Sequence, residues 1–488
     1  MTQSARTFAQ TGTPDADLIA RFAAIVGEKH ALLHHNDMAA YTTDTRGRYG
    51  QKAALVLRPK TVEDVSAILT LAHETGTSVI PQGGNTGLVG AGLPLTGDHG
   101  GLGGEVIVSL SRMNTVLDVD PLNNSMTVEA GVVLQAIQEA ADAVDRLFPL
   151  SLGSQGSCQI GGNISSNAGG TGVIAYGNTR DLVLGLEAVL PSGELWNGLS
   201  RLRKDNTGYD LKNLFIGGEG TLGIVTKAVL KLFPKPKGRE VAYVAVRSPQ
   251  TALDLLNRAK DTAGQGLTAF ELMASIGMEF TLAHAQSKIR RPIAEQHPWY
   301  VLIEISSGSS QAAARATLET ILGAAFEAGV VEDATLADSL EQQTQFWSLR
   351  EEMSWAQKPE GASIKHDISV PVSAVPDFIE KADAAVLKIV PDARIVNFGH
   401  LGDGNLHYNI SQPVGWEADL FFAFEEAIHD SVYEIVWSVG GSMSAEHGIG
   451  QMKRERLAAS KDPVSLAMMR RIKDALDPKG IMNPGKVI

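Results

Sequence analysis

A single cysteine, Cys158, stands in 488 residues. A disulfide within the chain is excluded, and so is a thiolate metal cluster; a bound metal must be held by histidine and carboxylate. Positive charge is also short: 42 basic residues face 55 acidic ones, for a formal net charge of -13. That balance argues against nucleic acid or an anionic membrane as partner, but leaves room for a local basic pocket. There is no apolar run of membrane-spanning length, and the N-terminal MTQSARTFAQTGTPDADLIARF lacks the apolar stretch of a secretory signal. Asp15 and Asp17 weigh against an organellar transit peptide, so a cytoplasmic protein is the expectation.

Glycine, by contrast, is plentiful and clustered. PQGGNTGLVGAG (81–92) carries Gly83, Gly84, Gly87, Gly90 and Gly92. GSQGSCQIGGNISSNAGGTG (153–172) carries seven glycines, and no charged residue occurs between Arg146 and Arg180. GGEGTLG (217–223) is the third cluster. Any one of these could be a crowded turn. Three in one region favour a dinucleotide, because successive backbone N–H groups in such loops form concavities suited to a pyrophosphate. A nicotinamide fingerprint is excluded. After Gly90-Ala91-Gly92 come Leu93, Pro94 and Leu95, so the third glycine is missing, and a loop and strand follow instead of a helix.

Periodicity predicts strands at 54–57, 78–80, 115–119 and 125–130, with a helix N-capped at Thr61 and closed by Gly76 and another at 132–144. PKPKGRE (234–240) reads as a linker. Beyond it, strands fit at 241–246, 300–305, 363–370 and 394–400, and helices at 250–263, 310–328 and 375–389. One long helix is expected near 418–438 and a last one from Pro463. The whole reads as α+β.

A second constellation is NFGHLGDGNLHYN followed by SAEHGIG. Asp403-Gly404 is the turn pair of a hairpin that can bring His400 and His407 onto one face, and Glu446 could add a third ligand from elsewhere. Two histidines and a carboxylate suit a catalytic divalent metal such as zinc. The spacing is no standard zinc pattern, and two ordinary histidines would read the same way. Arg350, on a helix, and Lys365, on a strand, would by themselves be solvated surface groups.

PQGGNTGLVGAG, GSCQIGGNISSNAGGTGVIAYGNTRDLVLGLEAVLPSGE and NTGYDLKNLFIGGEGTLGIVT together resemble the vanillyl-alcohol-oxidase/p-cresol-methylhydroxylase flavoproteins, in the branch of the D-2-hydroxyglutarate and D-lactate dehydrogenases. The resemblance runs from about residue 40 to the end and implies non-covalent FAD. Pro81, Gly83, Gly84, Asn85, Thr86 and Gly87 would hold the pyrophosphate, Asn85 and Thr86 through side-chain hydrogen bonds. Ser154, Gly161, Gly162, Asn167, Gly170, Ile224 and Asn483 would line the rest of the cofactor. The first loop has no His or Cys for covalent attachment, and Cys158 reads as a buried structural thiol.

The same branch carries the H-x-G-D-G-N-x-H and E-H-G motifs. The resemblance therefore implies His400, His407 and Glu446 as ligands of a divalent metal, zinc by the chemistry of the set, with Arg350, Lys365 and Ser354 anchoring a substrate carboxylate. Asn405 would contact substrate or flavin, and His447 is the candidate general base. The expected division is an N-terminal arm (1–50), a two-part FAD-binding domain (51–235), a substrate or cap domain with an antiparallel sheet (236–430), and a C-terminal helical segment returning to the flavin (431–488). The implied activity is oxidation of a D-2-hydroxy acid, D-2-hydroxyglutarate first and D-lactate second, by hydride transfer to flavin. Electrons would leave to an electron-transfer flavoprotein, a quinone, a cytochrome or oxygen, and a homodimer is compatible. A metal-dependent hydrolase would leave the glycine loops unexplained; a non-catalytic flavin-binding protein would leave the histidines unexplained. A sugar or aldonolactone oxidase has no obvious need for the metal.

Overall fold

The computed structural model describes residues 14–44, 46–50, 52–96, 103–286 and 289–488. The first thirteen residues of the N-terminal arm lie outside this range. The chain forms two compact units. One holds the residues up to Ala168, then Asn178–Pro234 and Glu446–Ile488; the other holds Gly169–Gly177 and Lys235–Ala445.

In the first unit a four-stranded sheet runs in the order Ala31–Leu32, Leu55–Leu57, Val106–Ser109, Val79–Gln82. The last three strands are parallel, and helix Val62–Thr75 connects Leu55–Leu57 to Val79–Gln82. That helix starts where its sequence requires. Thr61 Oγ1 accepts from Asp64 N at 3.2 Å, and Asp64 Oδ2 accepts from Thr61 N at 3.2 Å, a reciprocal capping box. Val65, Ile68, Leu69 and Ala72 bury one face, and Gly76 ends the helix at φ 72°, a left-handed geometry that glycine adopts at the least cost. A second, antiparallel sheet has the order Val116–Asp120, Ser125–Glu129, Ile224–Lys231, Val183–Val189, Leu195–Gly198.

The second unit is built on a seven-stranded antiparallel sheet. Its order is Asp333–Leu336, Gly238–Val246, Trp299–Ser307, Leu267–Ala274, Arg394–His400, Asn405–Ser411, Ser363–Ser369. Helices Pro249–Ala263, Gln311–Glu327 and Val375–Ile389 bury apolar faces in this unit.

Several elements differ from the sequence reading, among them strands Val183–Val189 and Asp333–Leu336 and helix Ser275–His284, which were not expected. The long helix near 418–438 is two helices, Ala418–Phe422 and Glu425–Ser438, with Ala423-Phe424 between them. The uncharged glycine stretch contains a short helix, Ile160–Ser166, which Asn167 terminates at φ 51°. Strand Leu267–Ala274 was not expected. All eight of its residues are buried, so the polar/apolar alternation that marks a half-exposed strand is missing.

Thr61→Ala removes one half of the capping box and is expected to cost about 1 kcal/mol locally. Amides in the first turn of Val62–Thr75 should then exchange roughly fivefold faster; unchanged protection would show the cap to be dispensable.

Candidate active site

In the first unit a cavity is walled by the three glycine loops. Of the residues singled out above, Pro81, Gly83, Gly84, Asn85, Thr86, Gly87, Gly161, Gly162 and Ile224 line it, together with His447. The glycines are needed for close approach. A Cβ on Gly84 would stand 2.1 Å from the Ser157 carbonyl oxygen, so the first two loops can pack backbone to backbone only without a side chain there. Among the described residues, the backbone N–H groups of Gly83–Gly87 make no internal hydrogen bond. Unpaired amides facing a cavity are the donor set an anionic group requires. Gln82 Oε1 and Gln159 Oε1, also at this cavity, are buried without a partner among the described residues.

The other expected cofactor residues sit differently. Asn85 lines the cavity at φ 54°, but its amide nitrogen is tied to the Ala40 and Thr43 carbonyls at 3.0 and 2.8 Å. Ser154 and Asn167 are not among the lining residues of this cavity. The Ser154 carbonyl closes a turn by accepting from Ser157 and Cys158, and Asn167 Oδ1 accepts from Arg180 N at 2.9 Å. Gly170 belongs to the segment that clusters with the second unit. Asn483 is buried; its Nδ2 donates to the Ala91 and Glu219 carbonyls at 2.9 and 2.7 Å. Cys158 is buried, with Asn163 Nδ2 at 3.5 Å from its sulfur.

Sequence reasoning missed Glu219. This buried side chain lines the cavity and accepts from Ile449 N at 2.7 Å and Gly450 N at 2.8 Å, fixing the chain immediately after Glu446 and His447. Burial pushes its carboxyl above the ordinary value, against the opposing pull of those two N–H groups and Lys453. Its signal was a lone acid inside GGEGTLG.

In the second unit Lys365, His400, Asn405 and His407 share one sheet face, while Arg350 and Ser354 lie on helices Leu340–Glu351 and Met353–Ala356. Facing pairs in an antiparallel ladder point the same way, and every second residue along a strand does too. Glu271 faces His400, His400 faces Asn405, Phe398 faces His407, and His407 faces Asp367, which lies two residues from Lys365. The hairpin thus places the His400 and His407 rings 5.6 Å apart. Asp403 acts as the turn residue, accepting from Asn405 N at 3.1 Å. Asn405 Nδ2 donates to Asp367 Oδ1 and the Ile368 carbonyl at 3.0 and 2.9 Å, and its Oδ1 is buried without a partner among the described residues. Lys365 Nζ reaches the Ser354 carbonyl at 3.4 Å. Glu446 opens the last segment of the first unit, whereas His400 and His407 lie in the second.

Arg350 is not a surface group. It is 6% exposed, its Nε donates to Glu271 Oε2 at 2.8 Å, and its guanidinium carbon lies 4.8 Å from the centre of the Phe398 ring. Its two Nη groups make no hydrogen bond among the described residues. The other Glu271 oxygen is 2.8 Å from His400 Nδ1. Burial would raise the Glu271 carboxyl, but His400 and Arg350 outweigh it and hold it below the ordinary carboxylate value. Glu271 is the second residue missed, and it lies on one of the strands missed.

Glu219→Ala leaves two N–H groups without their acceptor, at a cost of about 3 kcal/mol. Exchange of the Ile449 and Gly450 amides should rise roughly a hundredfold; wild-type exchange would show that the tie does not hold the segment.

Comparison with known proteins agrees with this architecture. Residues 53–198 match an FAD binding domain, and residues 235–487 match the C-terminal domain of FAD linked oxidases. The chain is 39% identical over 474 residues to the mitochondrial D-2-hydroxyglutarate dehydrogenase of Arabidopsis thaliana, covering 97% of this chain and 82% of that one. It is 41% identical over 434 residues to the mitochondrial D-2-hydroxyglutarate dehydrogenase of Danio rerio, covering 89% and 78%. A solved structure of p-cresol methylhydroxylase superimposes with a TM-score of 0.74 at 16% identity, covering 96% of each chain, which establishes a shared fold. The cytoplasmic expectation is overturned by these relatives, both of which are mitochondrial by name. The missing apolar stretch spoke only against secretion, because mitochondrial targeting sequences are amphipathic and two aspartates are weak grounds for excluding one. The chain belongs to the FAD-linked oxidase family, in the branch of the D-2-hydroxyglutarate dehydrogenases, and is an FAD-dependent oxidoreductase.

Proposed function

We propose that the protein oxidises D-2-hydroxyglutarate to its 2-oxo acid, with D-lactate the next substrate to consider. The observation that carries this reading is the buried Arg350 with unpaired Nη groups on the sheet face of His400 and His407, in a chain whose relatives act, by name, on D-2-hydroxyglutarate. The glycine-walled cavity is the proposed FAD site. Its fit rests on the unpaired amides of Gly83–Gly87, which would take the pyrophosphate without a counter-charge from any side chain. FAD, when bound, supplies the two-electron acceptor.

Arg350 would hold the substrate carboxylate through its Nη groups, as a planar fork suited to two oxygens. Lys365 and Ser354 are proposed to complete that anchor, and Asn405 to offer its unpaired Oδ1 to the bound acid. His400, His407 and Glu446 are the proposed ligands of a divalent metal, zinc by the nitrogen and oxygen character of the set. Two imidazoles on one sheet face fit that role, and the metal would supply a Lewis acid that makes a neighbouring hydroxyl easier to deprotonate. His447, a lining residue of the glycine-walled cavity, would take the hydroxyl proton as general base.

The test is the visible spectrum of the purified protein, kept anaerobic, before and after addition of D-2-hydroxyglutarate. A yellow protein that bleaches is expected; one that stays yellow with D-2-hydroxyglutarate but bleaches with D-lactate would reverse the order of substrates. Arg350→Ala is expected to weaken the substrate about 30-fold or more, the lower end of the cost of breaking a buried charge pair. Unchanged KM in that variant would remove Arg350 from the site.

A further inference from the structure

We infer that Glu271 is a positioning residue that sets the proton of His400 and thereby prepares that histidine to bind metal, an inference that rests on the ligand reading above. Glu271 stands directly opposite His400 in the ladder between Leu267–Ala274 and Arg394–His400. Its side chain is 1% exposed, so its two oxygens answer to protein groups and not to water. One oxygen meets Arg350 Nε and the other His400 Nδ1, each at 2.8 Å.

The division of labour follows from what each group can donate. Arg350 is permanently charged, so the carboxyl beside it is ionised and can only accept. His400 Nδ1 must then carry the hydrogen. A neutral imidazole with its proton on Nδ1 presents its lone pair on Nε2, the atom a metal takes. The carboxylate also makes that lone pair more basic and holds the ring against rotation. Without Glu271, the hold that this carboxylate has on the tautomer is lost. The same carboxylate holds the Nε edge of Arg350, so one buried side chain orients both the proposed substrate anchor and a proposed metal ligand.

Zinc affinity tests this without reference to turnover. Protein carrying its flavin is stripped of metal with a chelator, then titrated with Zn²⁺ against a chromophoric chelator, with the flavin absorbance as the check on folding. Glu271→Gln is expected to bind zinc about 10–100-fold more weakly than wild type, the usual effect of losing the partner of a metal-bound histidine. Because that variant leaves Arg350 buried beside a neutral group, Glu271→Gln with Arg350→Met is measured beside it. The same loss in the double variant places the effect on His400. Wild-type protein that takes up no zinc overturns the ligand reading and this inference with it. Wild-type protein that binds zinc, with either variant binding it equally tightly, overturns the inference alone.

Discussion

Glu219 is a buried acid whose two oxygens are held by the backbone of Ile449 and Gly450, and the glycine-walled cavity depends on that tie. The cavity wall draws on residues 81–93, 159–166 and 219–225 and on His447. Nothing local in the sequence could hold segments so far apart. The backbone of Glu219 adds to the tie: its N–H donates to the Ser165 carbonyl at 2.8 Å, and its own carbonyl accepts from Asn483 at 2.7 Å. One residue therefore links the short helix of the second glycine loop, the SAEHGIG turn and the C-terminal tail. Gly448 shows how tight the arrangement is. A Cβ there would lie 2.8 Å from Glu219 Oε1, at a φ of 82°.

The glycine loops and the helix caps were legible because their causes are local. A left-handed residue favours glycine or asparagine, a helix start favours an acceptor such as Thr61, and a tight hairpin favours a pair such as Asp403-Gly404, so each leaves its mark within a few positions. The His400 and His407 pairing was legible for the same reason, since a short turn fixes which residues of its two strands share a face. Arg350 entered the candidate set only through family resemblance, and its burial left no local mark. Its residue type argues for the surface, and what buries it is Glu271, 79 positions away. Glu271 itself was hidden twice over: its strand is buried on both faces and so shows no alternation, and its partners become neighbours only when the sheet forms. A single charged residue within the apolar run LTAFELMA was the one available signal, since an acid at such a position must find a cation or a set of donors.

Two buried acids in this chain carry opposite perturbations, and the difference follows from their partners. Glu219 faces neutral backbone donors, with the Lys453 ammonium adding a weaker pull, and burial pushes its carboxyl up. Glu271 is as deeply buried, yet it bonds two groups that carry or can carry positive charge, and its carboxyl is held down. Two hydrogen bonds from neutral donors do not offset the loss of water, whereas two charge-assisted ones do. A carboxyl held down beside a permanent cation keeps one identity, that of an acceptor, and an acceptor of fixed identity can dictate where a neighbouring imidazole carries its hydrogen. Glu219 needs no such constancy, because backbone amides have only one proton to place. The acid that fastens the chain can tolerate a raised pKa; the acid beside His400 is spared one by His400 and Arg350 together.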